Sequence, residues 1–204
     1  MSPAASPSRP PSSPDLVAVL LTGGTGRRLD GADKSALELG GATFLERALA
    51  ALAAVPDVVV VGDEVATSRP VRFVREDPPG GGPAAALLAG LDAVVGDPPT
   101  VVVLAVDMPL VSAATVDRLL LSATGDGALL VDADGRRQLL CGVYSTLALR
   151  AAAGAVEGRD GLPVRRLLAD LDLVEVPALA HEASDVDEWA DLERLRAEVG
   201  EPPA

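Results

Sequence analysis

The stretch Leu16-Val17-Ala18-Val19-Leu20-Leu21-Thr22-Gly23-Gly24-Thr25-Gly26-Arg27-Arg28-Leu29 decides how the rest of the chain is read. Its first six residues form an unbroken apolar run with Pro14 ahead and Gly23-Gly24 behind. That is the pattern of a strand buried on both faces. The strand opens directly into a glycine-rich loop, the place where an open α/β sheet holds its ligand. Glycines there let backbone N–H groups approach phosphate oxygens, and Arg27, Arg28 and Lys34 supply countercharge.

The countercharge is local. The chain sets 17 Lys and Arg against 30 Asp and Glu, a formal net charge of -13. Such a balance excludes the basic stripe of a nucleic-acid groove, so no nucleic-acid partner is expected. An anionic small molecule gathered by one basic loop is compatible with it. No apolar run approaches the length of about 20 residues that a membrane helix needs, so no membrane partner is expected either. Cys141 is the only cysteine in 204 residues, which rules out an internal disulfide or a cysteine metal cage and fits a reducing, cytoplasmic setting. It reads as an inert core thiol.

Outward from the opening strand, β and α patterns alternate. Thr43 followed by Glu46 reads as a capping box for a helix carrying Phe44, Leu45, Ala48, Leu49 and Leu52 at helical spacing. Asp57 to Val61 and Val71 to Val74 read as strands, and Pro83 to Val94 as an Ala- and Leu-rich helix. Thr100 to Val106 is the most β-branched run and delivers Asp107 at its carboxyl end; Ser112 caps a helix through Leu121. Ala128 to Val131 and Gln138 to Tyr144 read as a hairpin across the turn Asp132-Ala133-Asp134-Gly135. Pro163 to Leu171 and Val186 to Val199 read as helices around a short strand, Leu173 to Val176. Trp189 is expected to anchor the last helix to the core, and Arg165-Arg166 to form a solvated helix face.

These patterns give an α/β fold, a mostly parallel sheet with helices on both faces and a late antiparallel element. Residues 1–14, rich in Ser and Pro and without the apolar core of a secretory signal, are expected to be a disordered lead-in, and 200–204 a tail. Residues 15–199 form the expected single domain.

Two phosphate-binding fingerprints fail on this loop. A dinucleotide fingerprint beginning at Gly24 would want Gly or Ala where Leu29 stands, and a Walker loop ending at Lys34 would want Gly where Asp33 and Arg28 stand. The motif Leu21-x-Gly23-Gly24-x-Gly26-x-Arg28, a short spacer and then Asp33-Lys34 instead resembles the molybdenum cofactor guanylyltransferases and the wider nucleotidyltransferase group around them. Further landmarks follow in order: Glu76-Asp77 ahead of Gly82-Pro83-Ala84-Ala85, Val103 to Pro109, and Asp185-Val186-Asp187. Together they cover roughly residues 16 to 196. Thr22 stands where this family usually has Ala, and Gln138-Leu139 where members that guanylylate molybdopterin commonly carry His-Pro.

The resemblance implies a Rossmann-like nucleotidyltransferase that moves GMP from GTP to the molybdopterin form of the molybdenum cofactor, releasing pyrophosphate. It implies Mg2+ as cofactor, and proteins that deliver or accept the molybdenum cofactor as partners. Within the same chemistry stand CTP as donor or a sugar phosphate as acceptor, and from another class a non-catalytic nucleotide-binding module. Carried over, Leu21, Thr22, Gly23, Gly24, Lys34, Asp77 and Asp107 contact the nucleotide, and Arg28, Lys34 and Asp107 are catalytic. Asp107 binds the metal, with Asp187 or Asp185 as second oxygen ligand and Asp187 preferred. Each position also has a structural reading: Asp107 as the cap of the following turn, Asp77 as a loop residue beside Pro78-Pro79, Asp185 as a helix cap with Asp187 in the first turn. His181, the single histidine, receives no catalytic role.

Overall fold

The computed structural model describes residues 15–23, 29, 31–156 and 158–200. Leu16–Leu21 is strand β1, buried along its whole length. Because successive side chains alternate across a strand, Ala18 and Leu20 enter one core layer while Val17, Val19 and Leu21 enter the other. A sheet hydrophobic on both faces must be covered on both, which fixes the layered plan.

After β1 the chain makes a small hairpin, β2 (Glu38–Leu39) with β3 (Ala42–Thr43). Gly40 and Gly41 hold its turn at φ 65° and 73°, a left-handed pair that only glycine adopts cheaply. Two-residue strands are too short for sequence periodicity to mark. Helix α1 (Phe44–Ala51) follows, then strands β4 (Asp57–Val61) and β5 (Arg72–Val74), helix α2 (Pro83–Asp92) and strand β6 (Thr100–Ala105). Helix α3 (Ala113–Ser122) leads to strands β7 (Gly127–Val131) and β8 (Arg137–Ser145). Helices α4 (Thr146–Gly154) and α5 (Val164–Leu167), strand β9 (Leu173–Pro177) and helix α6 (Trp189–Glu198) complete the order.

The main sheet runs β5-β4-β1-β6-β8. β1 pairs in parallel with β4 and β6, and β4 with β5, while β8 runs antiparallel to β6. β7 lies alongside β8, held by Ser145 N–H to Asp126 C=O (2.8 Å) at one end and Asp132 N–H to Arg136 C=O (3.0 Å) at the turn; β9 pairs with β7 in parallel. This is the mostly parallel, seven-stranded α/β sheet with a late antiparallel element that the patterning implied. α1, α3 and α6 cover one face, and α2, α4 and α5 the other. α2 sits close: a Cβ on Gly90 would lie 2.4 Å from Val19 Cγ1.

Several boundaries differ from expectation. Thr43 caps α1 by accepting from Glu46 N–H (3.2 Å), but the Glu46 carboxylate turns to the Ser68 N–H and hydroxyl, so the capping box is one-sided. α4, absent from the sequence-based expectation, begins with Ser145 accepting from Ala148 N–H and runs through Leu, Ala and Arg, which are strong helix formers. α5 covers only part of 163–171: Leu171 N–H turns back to Leu168 C=O and the Asp126 carboxylate takes Asp172 N–H, directing the chain into β9. α6 begins at Trp189 rather than Val186. Trp189 is 42% exposed, and Leu192 and Leu195 are what bury the helix; Arg165-Arg166 is solvated as expected. No helix among the described residues is long and apolar enough to cross a membrane.

Candidate active site

β1 lies at the centre of the parallel strands, with β4 on one side and β6 on the other, so the chain order reverses beside it. A crevice opens at the carboxyl ends of strands at such a point. The parallel ladder extends one residue beyond β1: Thr22 N–H donates to Val61 C=O (3.1 Å) and Val106 N–H to Leu21 C=O (3.0 Å). Leu21 is thereby buried in the sheet and Thr22 is placed at its rim, its hydroxyl also donating to Val61 C=O at 3.0 Å. Gly62 completes this corner. A Cβ there would stand 1.9 Å from Thr22 Oγ1, so the threonine occupies the space a side chain at 62 would need. In the sequence the only signal for Gly62 is a glycine just after a buried strand.

Gly23 is described and exposed, with open space where a Cβ would lie. Gly24 and Arg28, with Arg27, lie outside the described residues. Beyond them Leu29 is fully buried and its carbonyl accepts from Ala32 N–H (2.8 Å), which returns the loop to the core. Asp33 Oδ1 then accepts from Ser35 N–H (2.9 Å) and Ser35 Oγ (2.8 Å), capping a turn of 3-10 helix over Lys34–Ala36. Asp33 thus shapes the turn that aims Lys34.

Lys34 is brought between two carboxylates from distant parts of the chain. Its Nζ donates to Asp187 Oδ1 at 2.6 Å and to Asp107 Oδ2 at 3.5 Å. The Lys34 side chain is 10% exposed, that of Asp107 32% and that of Asp187 52%, so the cluster is closed behind the ammonium and open in front of the carboxylates. Burial by itself would lower the Lys34 pKa, but the hydrogen bond to Asp187 and the charges of Asp107 and Asp187 outweigh it and raise it above the ordinary lysine value. The ammonium is therefore firmly protonated. Asp107 moves the other way for an acid. Burial pushes its carboxyl up, Lys34 pulls it down, and the charges of Asp185 and Asp187 add to the upward push, leaving it raised.

Asp107 does not cap α3, a task that Ser112 performs. Its carbonyl accepts from Val186 N–H at 2.8 Å, which docks the late segment onto the end of β6. Val186 is fully buried, and the N–H groups of Asp187 and Glu188 both go to Asp191 Oδ2 (3.1 and 3.0 Å). Asp185 and Asp187 accordingly precede α6, outside its first turn. Asp77 stands exposed on the loop after β5, ahead of a cis peptide to Pro78, at the same end of the sheet. Among the described residues, no hydrogen bond or ion pair joins Asp77 to the Lys34 cluster. Gln138 Nε2 donates to Asp132 Oδ2 (3.2 Å), and the β6–β8 register carries Gln138 toward the Asp107 end. Tyr144 is fully buried with its hydroxyl on Leu139 C=O (2.7 Å), so it lines no open acceptor site. His181 is exposed, 3.3 Å from Glu198.

A metal would meet an oxygen-only donor set here. Among the described residues no group of three or more His, Cys, Asp or Glu converges to hold an ion alone. Two partly exposed carboxylates flanking a lysine suit Mg2+, which prefers one or two carboxylates completed by water and substrate phosphates. The residues fit such an ion.

Residues 18–176 match the family model of the MobA-like NTP transferase domain. A molybdenum cofactor guanylyltransferase of Acidiphilium cryptum (strain JF-5) is 39% identical over 108 residues, covering 48% of this chain and 54% of that one, so the match spans about half of each. A nucleotidyl transferase from Methanothermobacter thermautotroptrophicus superposes with a TM-score of 0.70 at 25% identity over 90% of this chain and 96% of its own. Molybdopterin-guanine dinucleotide biosynthesis protein A from Archaeoglobus fulgidus shares the fold, with a TM-score of 0.66 at 21% identity over 90% and 98% of the two chains. With Thr22 and Asp107 just beyond the ends of the parallel strands β1 and β6, Lys34 brought to Asp107 from the turn after β1, and more than half its length matched, this chain belongs to the MobA-like NTP transferase family.

Proposed function

We propose that this protein is a cytoplasmic, Mg2+-dependent transferase that joins GMP from GTP to the molybdopterin form of the molybdenum cofactor, with proteins that deliver or accept that cofactor as partners. The observation that carries the reading is Lys34 held between Asp107 and Asp187 at the carboxyl ends of the central strands, in a member of an NTP transferase family. The guanylyl and molybdopterin assignments are supported by the name of the Acidiphilium relative.

In this reaction an oxygen of the acceptor phosphate attacks the α-phosphorus of GTP. The new P–O bond makes the dinucleotide diphosphate, the bond between the α-phosphorus and the bridging oxygen breaks, and pyrophosphate leaves with its charge. The acceptor phosphate is already ionised at neutral pH, so the protein need not supply a nucleophile. Its tasks are alignment and neutralisation of charge.

The chain's residues divide these tasks. Gly23 and Gly24 let the loop backbone approach the triphosphate, with Leu21 and Thr22 bordering the nucleotide and Asp77 contacting it from the β5 side. Lys34, permanently charged, exchanges its carboxylate partners for phosphate oxygens, and Arg28 joins it against the leaving pyrophosphate. Mg2+ bound by Asp107 and Asp187, with Asp185 the neighbouring oxygen donor, would supply further positive charge to the triphosphate oxygens.

Titration calorimetry with GTP, CTP, UTP and ATP, with and without Mg2+, tests the donor assignment. GTP should bind more tightly than the other three, and more tightly with Mg2+ than without. A preference for CTP, or binding indifferent to Mg2+, would overturn it.

A further inference from the structure

Asp185 and Asp187 are carried by the irregular connection 178–188 between β9 and α6. Such a segment has no ladder to fix it, and its carboxylates add to the negative charge around Asp107. Lys34 and the Asp107 carbonyl hold its far end, at Asp187 and Val186, while the charges of Asp185 and Asp187 push outward against Asp107, so the near end of the segment needs an anchor of its own.

The holding group is Glu182. Its Oε1 accepts from Thr115 Oγ1 (2.7 Å) and Arg118 Nη1 (3.2 Å), and its Oε2 from Leu179 N–H (2.8 Å) and Arg118 Nη2. Thr115 is fully buried in the first turn of α3, where its hydroxyl also accepts from Ser112 N–H (3.1 Å). The Glu182 side chain is 14% exposed, and the two-pronged arginine contact is geometrically strict. The same carboxylate closes a tight turn: Glu182 N–H returns to Leu179 C=O (3.2 Å), with Ala180 between them at φ 50°. Four residues later Val186 docks on the Asp107 carbonyl, and Asp187 meets Lys34.

We propose that Glu182, gripped by Arg118 and Thr115 of α3, is a positioning residue that holds Asp185 and Asp187 against Asp107 and so sets the affinity of the site for a divalent cation. This rests on the metal reading above. Nothing in the sequence pattern marked Glu182, Arg118 or Thr115, because their association exists only across the folded distance between α3 and the last connection.

The test is Mn2+ binding followed by electron paramagnetic resonance in the presence of GTP and without acceptor, together with hydrogen exchange of the Val186 amide and the melting temperature. Glu182→Gln keeps the shape but places an amide against Arg118. It should weaken Mn2+ by about 10- to 100-fold, the range seen when partners behind metal ligands are removed. It should also speed exchange at Val186, while GTP binding without cation changes by less than about twofold. Thr115→Val, which removes one donor, should shift the same readouts in the same direction by less, and serves if Glu182→Gln does not fold. A lowered melting temperature with unchanged Mn2+ affinity would mean a merely structural role and overturn the inference while leaving the proposed function standing. Wild-type protein that binds no Mn2+ beside GTP would overturn both.

Discussion

Lys34 Nζ lies 2.6 Å from Asp187 Oδ1 across a sequence separation of 153 residues. The contact joins the loop after the first strand to the segment before the last helix, so the site closes only when the two ends of the fold meet. Lys34→Ala removes the cation that two carboxylates now share and that a triphosphate would compete for. A charge-assisted hydrogen bond of about 1.5–3 kcal/mol corresponds to roughly 10- to 100-fold weaker GTP binding, readable by calorimetry. Unchanged affinity would remove Lys34 from the nucleotide site.

Asp107→Asn separates function from stability. In the folded protein burial, with the charges of Asp185 and Asp187, favours the neutral carboxyl despite Lys34, so the ionised form costs stability at neutral pH. The neutral isostere should leave the melting temperature unchanged or higher, while kcat falls by about 10²–10³-fold as for other lost electrostatic groups. Full activity in this variant would contradict the assigned role.

Thr22 and Gly62 should behave as one unit. Gly62→Ala sets a methyl 1.9 Å from Thr22 Oγ1 and is expected to cost about 1–3 kcal/mol by overpacking. Thr22→Ala alone loses the hydroxyl bond to Val61 C=O, about 0.5–1.5 kcal/mol. The double variant should recover most of the steric loss, a coupling that urea unfolding of all four proteins measures. Simple additivity would show that the two side chains do not share the space.

Acid should destabilise the fold through Glu182 and Asp191. Burial alone would raise both, but hydrogen bonds outweigh it: from Arg118, Leu179 N–H and Thr115 onto Glu182, and from Asp187 N–H, Glu188 N–H and Arg194 onto Asp191. A carboxyl lowered in the folded state gives its stabilisation in full above its unfolded pKa and loses it as pH falls through the folded one. Urea midpoints should therefore be flat from about pH 7 to 5 and fall below about pH 4.3, less steeply in Glu182→Gln. Asp107, raised instead, works against this trend. A midpoint that climbs on acidification would show that the two networks are not formed.

Much of this architecture is legible in the residues themselves. The strands Leu16–Leu21 and Asp57–Val61 fall where unbroken apolar runs put them, because a strand covered on both faces admits nothing else. The start of α6 was misplaced because Val186, the apolar residue that suggested helical spacing, is a plug fixed by the Asp107 carbonyl. Trp189 misled for a related reason: a large apolar side chain is no proof of burial when Leu192 and Leu195 already fill the face. At the site, Lys34, Asp107 and Asp187 are legible through motif resemblance. The Asp33 cap, the Gly62 clearance and the Glu182 clamp depend on contacts that no local pattern encodes.

The most direct test of the central claim is pyrophosphate release from GTP on adding molybdenum-loaded molybdopterin, run with wild-type protein and with Asp107→Asn. The account expects Mg2+-dependent release, one pyrophosphate for each guanine dinucleotide formed, and its near loss in the variant. GTP that binds without any pterin-dependent release, or release that survives in Asp107→Asn, would contradict it.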